Sequence, residues 1–380
     1  MSRLLAAALL LAFATGCATT SLPPATSKDL SMEVDERDLW AQSREIRQAM
    51  ERGGFVYRDE ALDGYLNGVV RKLHSGTTLD RIPFEVMVVK DPSMNAFALP
   101  DGAMYIHLGI LARMENEAQL ATLLAHETTH STHRHSIRTL RTARNKSALY
   151  SAIFGGGGPA GAAFGWLGTM ASVSGYQREM ETEADTEGMR LLVEAGYDPQ
   201  EAVRLFSLLK RNIEEEKIKE PYFFASHPNV SDRIANFDSL VRTRYAGATG
   251  TAGGEAFRAA VKPALLESAL LDLQRGRFQS AQNACEKFLA GSEGDPKGHY
   301  VLGEVYRQKG EEGSVEKACG EYRRAIELNP SYPDPYRSLG MIHYKQGNKD
   351  IAREHLAKYL NLAPQAQDRG YVEQYMKPDH

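Results

Sequence analysis

The residues most suited to chemistry lie in one short segment, Thr122–His135, which reads TLLAHETTHSTHRH. His126 and His130 are four positions apart, so on a helix both side chains project from one face, with Glu127 beside them. This H-E-x-x-H pattern offers two imidazoles to zinc and a carboxylate that takes a proton from the attacking water. The spacing therefore predicts a zinc site. A metzincin needs a third histidine near position 136, and Ser136 excludes that subclass.

The element that carries this pattern is predicted to be a helix. Asn116 is suited to cap its N-terminus, with Gln119 three residues later as in a capping box. The run Glu117–Ala125 contains good helix formers and neither Gly nor Pro. His133 and His135 extend past the ligand pair, and we interpret them as groups that support a ligand or lie at the surface.

A catalytic zinc needs a third protein ligand and an open position for water. The predicted helix Tyr176–Gly188 offers five acidic candidates: Glu179, Glu181, Glu183, Asp185 and Glu187. Glu181 and Asp185 share a helix face, so one would bind zinc while the other orients a histidine. Spacing alone does not choose between Glu181 and its neighbours, and an acidic solvated face is the alternative.

Length and composition indicate two or three folded domains. The chain has 380 residues, of which 42% are hydrophobic, and a formal net charge of −4. No basic excess suggests a nucleic-acid partner. One basic row follows the histidines at helical spacing, namely Arg134, Arg138, Arg141 and Arg144. We interpret it as a solvated helix face, with contact to anionic lipid or an acidic partner as the alternative.

The N-terminus predicts export and a lipid anchor. Arg3 precedes LLAAALLLAFA, which is too short for a permanent membrane span. The next residues resemble a bacterial lipobox ending at Cys17, with Ala14 where Leu is more usual. Residues 1–17 would be the signal peptide and residues 18–30 a flexible tether. Ala18 lacks the Asp that signals inner-membrane retention, so we expect the outer membrane, facing the periplasm. An ordinary signal peptide is the alternative.

The region 31–246 is predicted to mix helices with a small sheet. Residues 31–75 look helical, Pro83–Val89 reads as a strand, and Asn95–His107 reads as two strands around a Pro-Asp-Gly turn. The stretch Ser147–Gln177 is uncharged, and its run of glycines followed by Pro159 would break a helix. We interpret it as an apolar loop or broken helix near the site, with a membrane span as the alternative.

The C-terminal third of the chain repeats with a period of 34 residues. This period is the signature of tetratricopeptide helix pairs, and the positions that keep it are Pro296, Pro330 and Pro364, and Ala284, Ala318 and Ala352. We expect about three repeats in residues 257–370, after a linker at 247–256. Cys285 and Cys319 occupy equivalent positions, so stacking at about 8–10 Å keeps them too far apart for a disulfide. Two separate thiols are expected.

The motifs resemble those of a known family. H-E-x-x-H is followed about fifty residues later by Glu181-Thr182-Glu183-Ala184-Asp185, an E-x-x-A-D pattern. This combination resembles the gluzincin metallopeptidases that include HtpX, the CAAX prenyl proteases, the mitochondrial Oma-type proteases and the bacterial BepA-type proteases. The resemblance implies that Glu181 is the third zinc ligand and that Asp185 supports the site.

Two further segments carry the resemblance. DPSMNAFALPDGAMYIHLGIL resembles the edge strand that pairs with substrate backbone, which implies that Asn95, Ala96 and Phe97 bind substrate. Ser226–Ile234 resembles the family's His-Pro segment, which implies that His227 is a switchable fourth ligand that plugs the site. A surface or capping histidine is the alternative. Arg233 would either stabilise the oxyanion or form a structural ion pair.

These inferences predict an α+β, mostly helical chain, with a gluzincin metalloprotease domain containing a small sheet and then an α-solenoid of tetratricopeptide repeats. We expect one zinc per chain, with Glu127 as the catalytic base. The expected function is an exported endopeptidase in outer-membrane protein quality control. Misfolded or stalled envelope proteins would be its substrates, and the repeats would recruit substrate or outer-membrane assembly machinery. A scaffold or chaperone with a latent protease, and an integral membrane protease, are the alternatives.

Overall fold

The computed structural model describes residues 22–27, 32–144, 178–216, 227 and 230–377. The helices up to residue 243 are α1 (Val34–Arg52), α2 (Glu60–Leu73), α3 (Gly76–Arg81), α4 (Leu108–Arg113), α5 (Glu117–Thr132), α6 (His135–Arg144), α7 (Arg178–Glu194), α8 (Gln200–Glu216) and α9 (Val230–Thr243). Those that follow are α10 (Gly254–Gln274), α11 (Phe278–Leu289), α12 (Pro296–Lys309), α13 (Ser314–Leu328), α14 (Pro333–Lys345), α15 (Lys349–Leu362) and α16 (Arg369–Gln374). The strands are β1 (Val56–Tyr57), β2 (Glu85–Val89), β3 (Ala96–Ala98) and β4 (Ala103–His107). The predicted fold class is confirmed.

The sheet has the strand order β1-β2-β4-β3. β2 pairs with β4 in parallel, and β3 pairs with β4 as an antiparallel hairpin. The hairpin turns at the predicted Pro-Asp-Gly, where Gly102 has φ of 93° and a Cβ would come within 2.6 Å of Ile82. Glycine is therefore required at this turn. The strands predicted within 83–89 and 95–107 are confirmed, and β3 lies at one edge of the sheet.

The region 31–75 differs from the continuous helical prediction. α1 ends at Arg52, and Gly54 with φ of 69° turns the chain away from the helix. Val56 and Tyr57 then pair with Val89 and Val88 of β2. A β-branched and an aromatic residue suit a strand, but two residues are too few to produce a recognisable alternation. The prediction missed β1 for this reason.

The sheet is buried on both faces, and successive side chains alternate between two cores. Val86, Val88, Met104 and Ile106 face the larger core, which contains α2 and α5. Met87, Val89, Phe97 and Tyr105 face the smaller core, which contains α1 and α6. The histidine-bearing helix α5 and the helix that follows it are therefore held against opposite faces of one sheet.

The larger core continues from the sheet into the first C-terminal helices. It includes Leu111 of α4, Phe257 and Val261 of α10, and Val305 of α12. The predicted linker is fixed by backbone hydrogen bonds: the N–H of Ala118 donates to the carbonyl of Ala252 at 3.0 Å. The linker is thus an ordered connection, and the exact boundaries 31–246, 247–256 and 257–370 stay a prediction.

The described helices from residue 254 to residue 362 form three pairs, α10–α11, α12–α13 and α14–α15. A Cβ at Gly303 or Gly340 would come within 2.6 Å of Tyr322 or Leu356, so a small residue at this repeat position lets the paired helix approach closely. Cys285 and Cys319 are buried free thiols, as predicted. Burial raises the pKa of the Cys285 thiol to about 12.

Two predicted features lie outside the described residues: the lipobox with Cys17, and the stretch Ser147–Gln177. Within the ranges that the structure describes, no helix is both long and apolar enough to cross a membrane. The predicted tether is described at residues 22–27. There Ala25 is buried, and its N–H donates to the carbonyl of Thr132 at 2.7 Å. Residues 22–27 therefore differ from the expected flexible spacer, because they pack against the protein and hydrogen-bond to the carbonyl at the end of α5.

Candidate metal centre

α5 carries the H-E-x-x-H residues through the middle of the core. Asn116 caps its first turn, because its side-chain oxygen accepts a hydrogen bond from the N–H of Gln119 at 3.0 Å. The Gln119 side chain accepts from the N–H of Glu115 at 2.9 Å, one residue earlier than in the expected capping box. Every residue from Ala118 to Thr132 is buried. The helix is therefore enclosed on all sides, which fixes the directions of its polar side chains.

Four buried side chains converge: His126, His130, Glu181 and His227, whose possible ligand atoms all lie within 4.8 Å of one another. The Nε2 atoms of His126 and His130 are 3.0 Å apart. Carboxylate oxygens of Glu181 lie 3.6 Å and 3.5 Å from the same two nitrogens. Ligands held tetrahedrally at about 2.0–2.1 Å from zinc are separated by roughly 3.3–3.4 Å. The donor set therefore fits zinc in both chemistry and spacing.

α7 brings its acidic residues to the cluster selectively. Gly188 makes the close approach possible, because a Cβ there would be 3.2 Å from the backbone nitrogen of His126. Among the five acidic candidates, Glu181 reaches the histidine Nε2 atoms, whereas Glu179 is exposed and Glu187 pairs with Arg190. The geometry thus favours Glu181 over Glu179 and Glu187, and its role as the third zinc ligand stays a prediction.

Asp185 and Arg233 lie behind His126. Asp185 Oδ1 is 3.0 Å from His126 Nδ1, and Arg233 Nη2 is 2.6 Å from the same carboxylate oxygen. Burial alone would raise the pKa of Asp185, but the charge of Arg233 and the hydrogen bond with His126 bring it below its usual value. The guanidinium also stacks on Phe206, 4.2 Å from the ring centroid. This environment matches the ion-pair alternative for Arg233.

Glu127 adjoins the cluster without being one of its four members. It is 2% exposed, and its Oε1 has no hydrogen-bond partner among the described residues. The imidazole of His227 is close by, with its Nε2 3.6 Å from that oxygen. A buried carboxylate oxygen without a hydrogen bond destabilises the fold. This oxygen is therefore available to accept a hydrogen bond from a water or substrate group that enters the site.

Burial lowers the pKa of His130 well below its usual value, with the neighbouring imidazoles acting in the same direction. A neutral imidazole is the form that binds a metal. His130 is therefore prepared as a ligand by its surroundings.

Two family models match the chain. Residues 60–241 match the model described as Peptidase family M48, and residues 311–347 match the model described as TPR repeat. Residues 60–241 are a peptidase family M48 domain. The resemblance to the Oma-type and BepA-type proteases, predicted from the motifs, is confirmed.

The relatives of this M48 domain come from bacteria and mitochondria. The chain is 30% identical over 174 residues to "Mitochondrial metalloendopeptidase OMA1" of Schizosaccharomyces pombe. That alignment covers 46% of this chain and 51% of that protein. It is 26% identical over 213 residues to "Beta-barrel assembly-enhancing protease" of Escherichia coli (strain K12). That alignment covers 50% of this chain and 43% of that protein. The chain spans about half the length, or less, of these curated relatives.

Among solved structures, "MamA 41-end from Desulfovibrio magneticus RS-1" aligns with 52% of this chain and 97% of that chain, at 17% identity and a TM-score of 0.26. A score this low supports no argument about the fold.

The arginine row of the M48 domain is not a solvated face. Arg134 and Arg141 are buried, and they form ion pairs with Glu36 and Asp35 at the start of α1. Arg138 pairs with Glu183 of α7 at 2.8 Å. The solvated-face interpretation and the lipid alternative are both wrong for these three, because α6 packs between two acidic helix starts. The Arg144 side chain lies outside the described part of the structure.

The predicted substrate strand of the M48 domain is β3. Asn95, Ala96 and Phe97 are all buried, and the ring of Phe97 stacks on Tyr105 at 5.0 Å in the smaller core. The carbonyl of Asn95 accepts from the N–H of His107 at 3.0 Å. Substrate binding by this segment stays a prediction, and the placement of Phe97 restricts any such contact to the strand's backbone rather than that ring.

The two histidines beyond the ligand pair have different surroundings. His135 is fully buried, and its Nδ1 is 2.8 Å from His130 Nδ1. His133 is half-buried and bonds to Thr132. Sequence reasoning treated them alike, because both lie past the helical repeat that relates His126 to His130. Glu183, which had appeared only as a ligand candidate, contacts His135 at 3.1 Å.

Proposed function

We propose that this chain is an exported zinc-dependent endopeptidase of the cell envelope, acting in outer-membrane protein quality control. The observation that carries the proposal is the buried cluster of two histidines and Glu181, with the unpartnered oxygen of Glu127 beside it. Relatives named metalloendopeptidase and beta-barrel assembly-enhancing protease support the reaction class and the envelope role.

The reaction divides among the residues as follows. Zinc, when bound, polarises the scissile carbonyl and makes water more acidic. His126, His130 and Glu181 would hold it, at one ion per chain. Glu127 takes a proton from the attacking water and delivers it to the leaving amine. Since the base is not a ligand, cleavage and metal binding are separable by mutation.

Asp185 and Arg233 act through His126 rather than on the substrate. The Asp185 carboxylate accepts a hydrogen bond from His126 Nδ1, which leaves Nε2 free to bind metal. Arg233 directs its guanidinium at Asp185 and also lies 3.5 Å from Glu181. Because its Nη2 contacts both Asp185 and His126 Nδ1, the latter at 2.9 Å, we assign Arg233 a positioning role instead of oxyanion stabilisation.

His227 is proposed as a switchable fourth ligand. Its Nδ1 is 3.0 Å from Glu181 and 3.2 Å from His126 Nε2, so the imidazole is close enough to take the position that a zinc-bound water would otherwise occupy. A site with four protein ligands is closed, which is the structural rather than the catalytic pattern. The same contact supports the alternative of a mainly scaffolding protein with a latent protease.

The repeats are proposed to recruit misfolded or stalled envelope proteins, or the outer-membrane assembly machinery. α12, α13, α14 and α16 line a cavity of about 350 Å³. Its lining combines Arg307, Arg337 and Lys345 with apolar groups such as Met341 and Tyr371, and the first two cations pair with Glu304 and Asp368. Such a groove suits an extended segment of another protein.

Membrane attachment through Cys17 is part of the proposal, with the protein at the outer membrane facing the periplasm. Replacing Cys17 by Ser is expected to release the protein from the membrane fraction. Membrane association that survives this change would refute the lipid anchor and favour insertion of Ser147–Gln177, the integral membrane alternative.

The decisive experiment measures zinc stoichiometry and casein cleavage for the wild type and for Glu127→Gln. The proposal expects one zinc in both proteins, and cleavage lower by on the order of 10²–10⁴-fold in Glu127→Gln, as for loss of general base catalysis. A wild type that binds no zinc, or a Glu127→Gln variant that cleaves normally, would contradict it.

A further inference from the structure

The second ligating histidine, His130, has a support of its own. Its Nε2 points into the cluster, 3.0 Å from His126 Nε2. Its Nδ1 points the opposite way and lies 2.8 Å from Nδ1 of His135. Since Nε2 must offer a lone pair to a metal, the proton of His130 resides on Nδ1 and is donated to His135.

The direction of this first hydrogen bond fixes the next one. His135 accepts at Nδ1, so a neutral His135 carries its own proton on Nε2. That nitrogen lies 3.1 Å from Glu183 Oε2, which accepts the proton. The same oxygen also accepts from Arg138 at 2.8 Å. The result is a chain of hydrogen bonds with a single direction, from ligand to imidazole to carboxylate.

A turn with an unusual backbone makes the contact possible. α5 ends at Thr132, and Arg134 adopts φ of 56°, the only positive φ of a non-glycine residue in the described part of the chain. This conformation costs roughly 1–2 kcal/mol for an L-residue. A buried ion pair with Glu36, at 2.8 Å from Arg134 Nε, holds the turn. His135 thereby begins α6 with its ring directed back at His130.

We infer that His135 and Glu183 are positioning residues for the metal: they fix the tautomer and the ring orientation of His130. The inference rests on the proposed function in that His130 is taken as a ligand. Neither side chain belongs to the four-member cluster, so each acts through His130 alone. Groups in this position are worth about 10–100-fold in metal affinity.

The test measures zinc affinity by chelator competition on the full chain, with the melting temperature of the metal-free protein as a check of folding. His135→Leu is expected to weaken zinc binding by about 10–100-fold. His135→Asn keeps an acceptor near the Nδ1 position and should recover most of this loss. His133→Leu is the matched control from the same turn, and its zinc affinity should equal that of the wild type.

Glu183→Ala provides a second route, since its side chain is 39% exposed and the change should not prevent folding. It is expected to weaken zinc binding by about tenfold, the lower end of the range for supporting groups. Glu179→Ala, an exposed residue of the same helix, is its control. If His135→Leu does not fold, this pair decides the question.

Wild-type zinc affinity in His135→Leu, or in Glu183→Ala when the first variant is unfolded, would overturn the inference. Visible absorption of the cobalt-substituted proteins adds a readout of ligand geometry that a general loss of stability would not move. A wild type that binds no zinc would instead contradict the proposed function, so the two failures are distinguishable.

Discussion

The two histidines of α5 are supported by different kinds of partner. Behind His126 stands an ion pair, Asp185 with Arg233, in which both side chains are at most 3% exposed. Behind His130 stands a neutral imidazole, His135, and the carboxylate that completes this support is partly exposed at the edge of α7. The carboxylate of Asp185 contacts His126 directly. The carboxylate of Glu183 contacts His135, which in turn contacts His130.

The difference has consequences for stability and for metal binding. A charge buried beside His126 must remain paired, because an isolated buried charge costs several kcal/mol. Behind His130, the charged groups Glu183 and Arg138 are in contact with water. Removing the Glu183 carboxylate therefore leaves no buried charge without a partner. We therefore expect damage to the Asp185 support to reduce both folding and zinc affinity, and damage to the His135 support to reduce mainly zinc affinity.

The largest effect is expected from removing a ligand rather than either support. Glu181→Ala should lose zinc binding and casein cleavage together, because two histidines alone do not hold a catalytic zinc. Zinc content by mass spectrometry and a casein assay measure this. Glu179→Ala is the comparison variant, and full zinc in Glu181→Ala with loss of zinc in Glu179→Ala would contradict the assignment of the third ligand.

Asp185→Asn should have the next largest effect. It leaves the charge of Arg233 buried, with Glu181 Oε2 at 3.5 Å as the nearest remaining described carboxylate. Breaking a buried pair costs about 3–5 kcal/mol, and we expect the lower end because Glu181 compensates in part. The free energy of unfolding of the metal-free protein, from urea titration, measures the effect.

A matched change on the same helix serves as the control for Asp185→Asn. Glu187 forms a half-exposed pair with Arg190, so Glu187→Gln should cost at most about 1 kcal/mol. Equal costs for the two variants would mean that the Asp185 pair is no more important to folding than a surface pair, and the contrast between the two supports would fail.

Sequence reasoning related Asp185 to the site directly, but it gave His135 only as a supporting or surface group and did not identify its partners, for a geometric reason. Glu181 and Asp185 are four residues apart on a helix, so their relation to each other follows from helical periodicity. His130 and His135 are five apart across a helix end, and no periodic rule relates them. Their contact depends on the left-handed turn at Arg134 and on the distant Glu36 that holds it. Such a contact requires the tertiary structure.

The same distinction applies to the fold. The 34-residue period correctly predicted the helix pairs. The equivalent repeat positions of Cys285 and Cys319 correctly predicted two free thiols. The arginine row misled because its spacing is equally typical of a solvated face and of a face covered by another helix. Only the packing of α1, whose first turn carries Asp35 and Glu36, decides between these. Local periodicity was predictable, and the partner of each face was not.

The smallest change expected concerns His227, which is a member of the cluster but belongs to neither support. His227→Ala should keep zinc, because His126, His130 and Glu181 retain their own contacts. Basal casein cleavage should rise, since a site that is open a tenth of the time would gain about tenfold when the plug is removed. His299→Ala is a suitable control, because that histidine lies in the repeats and bonds to Glu321 at 2.7 Å. Cleavage at or below the wild-type rate with zinc content preserved would assign His227 to a structural role, and it would leave latency to be sought elsewhere in the chain.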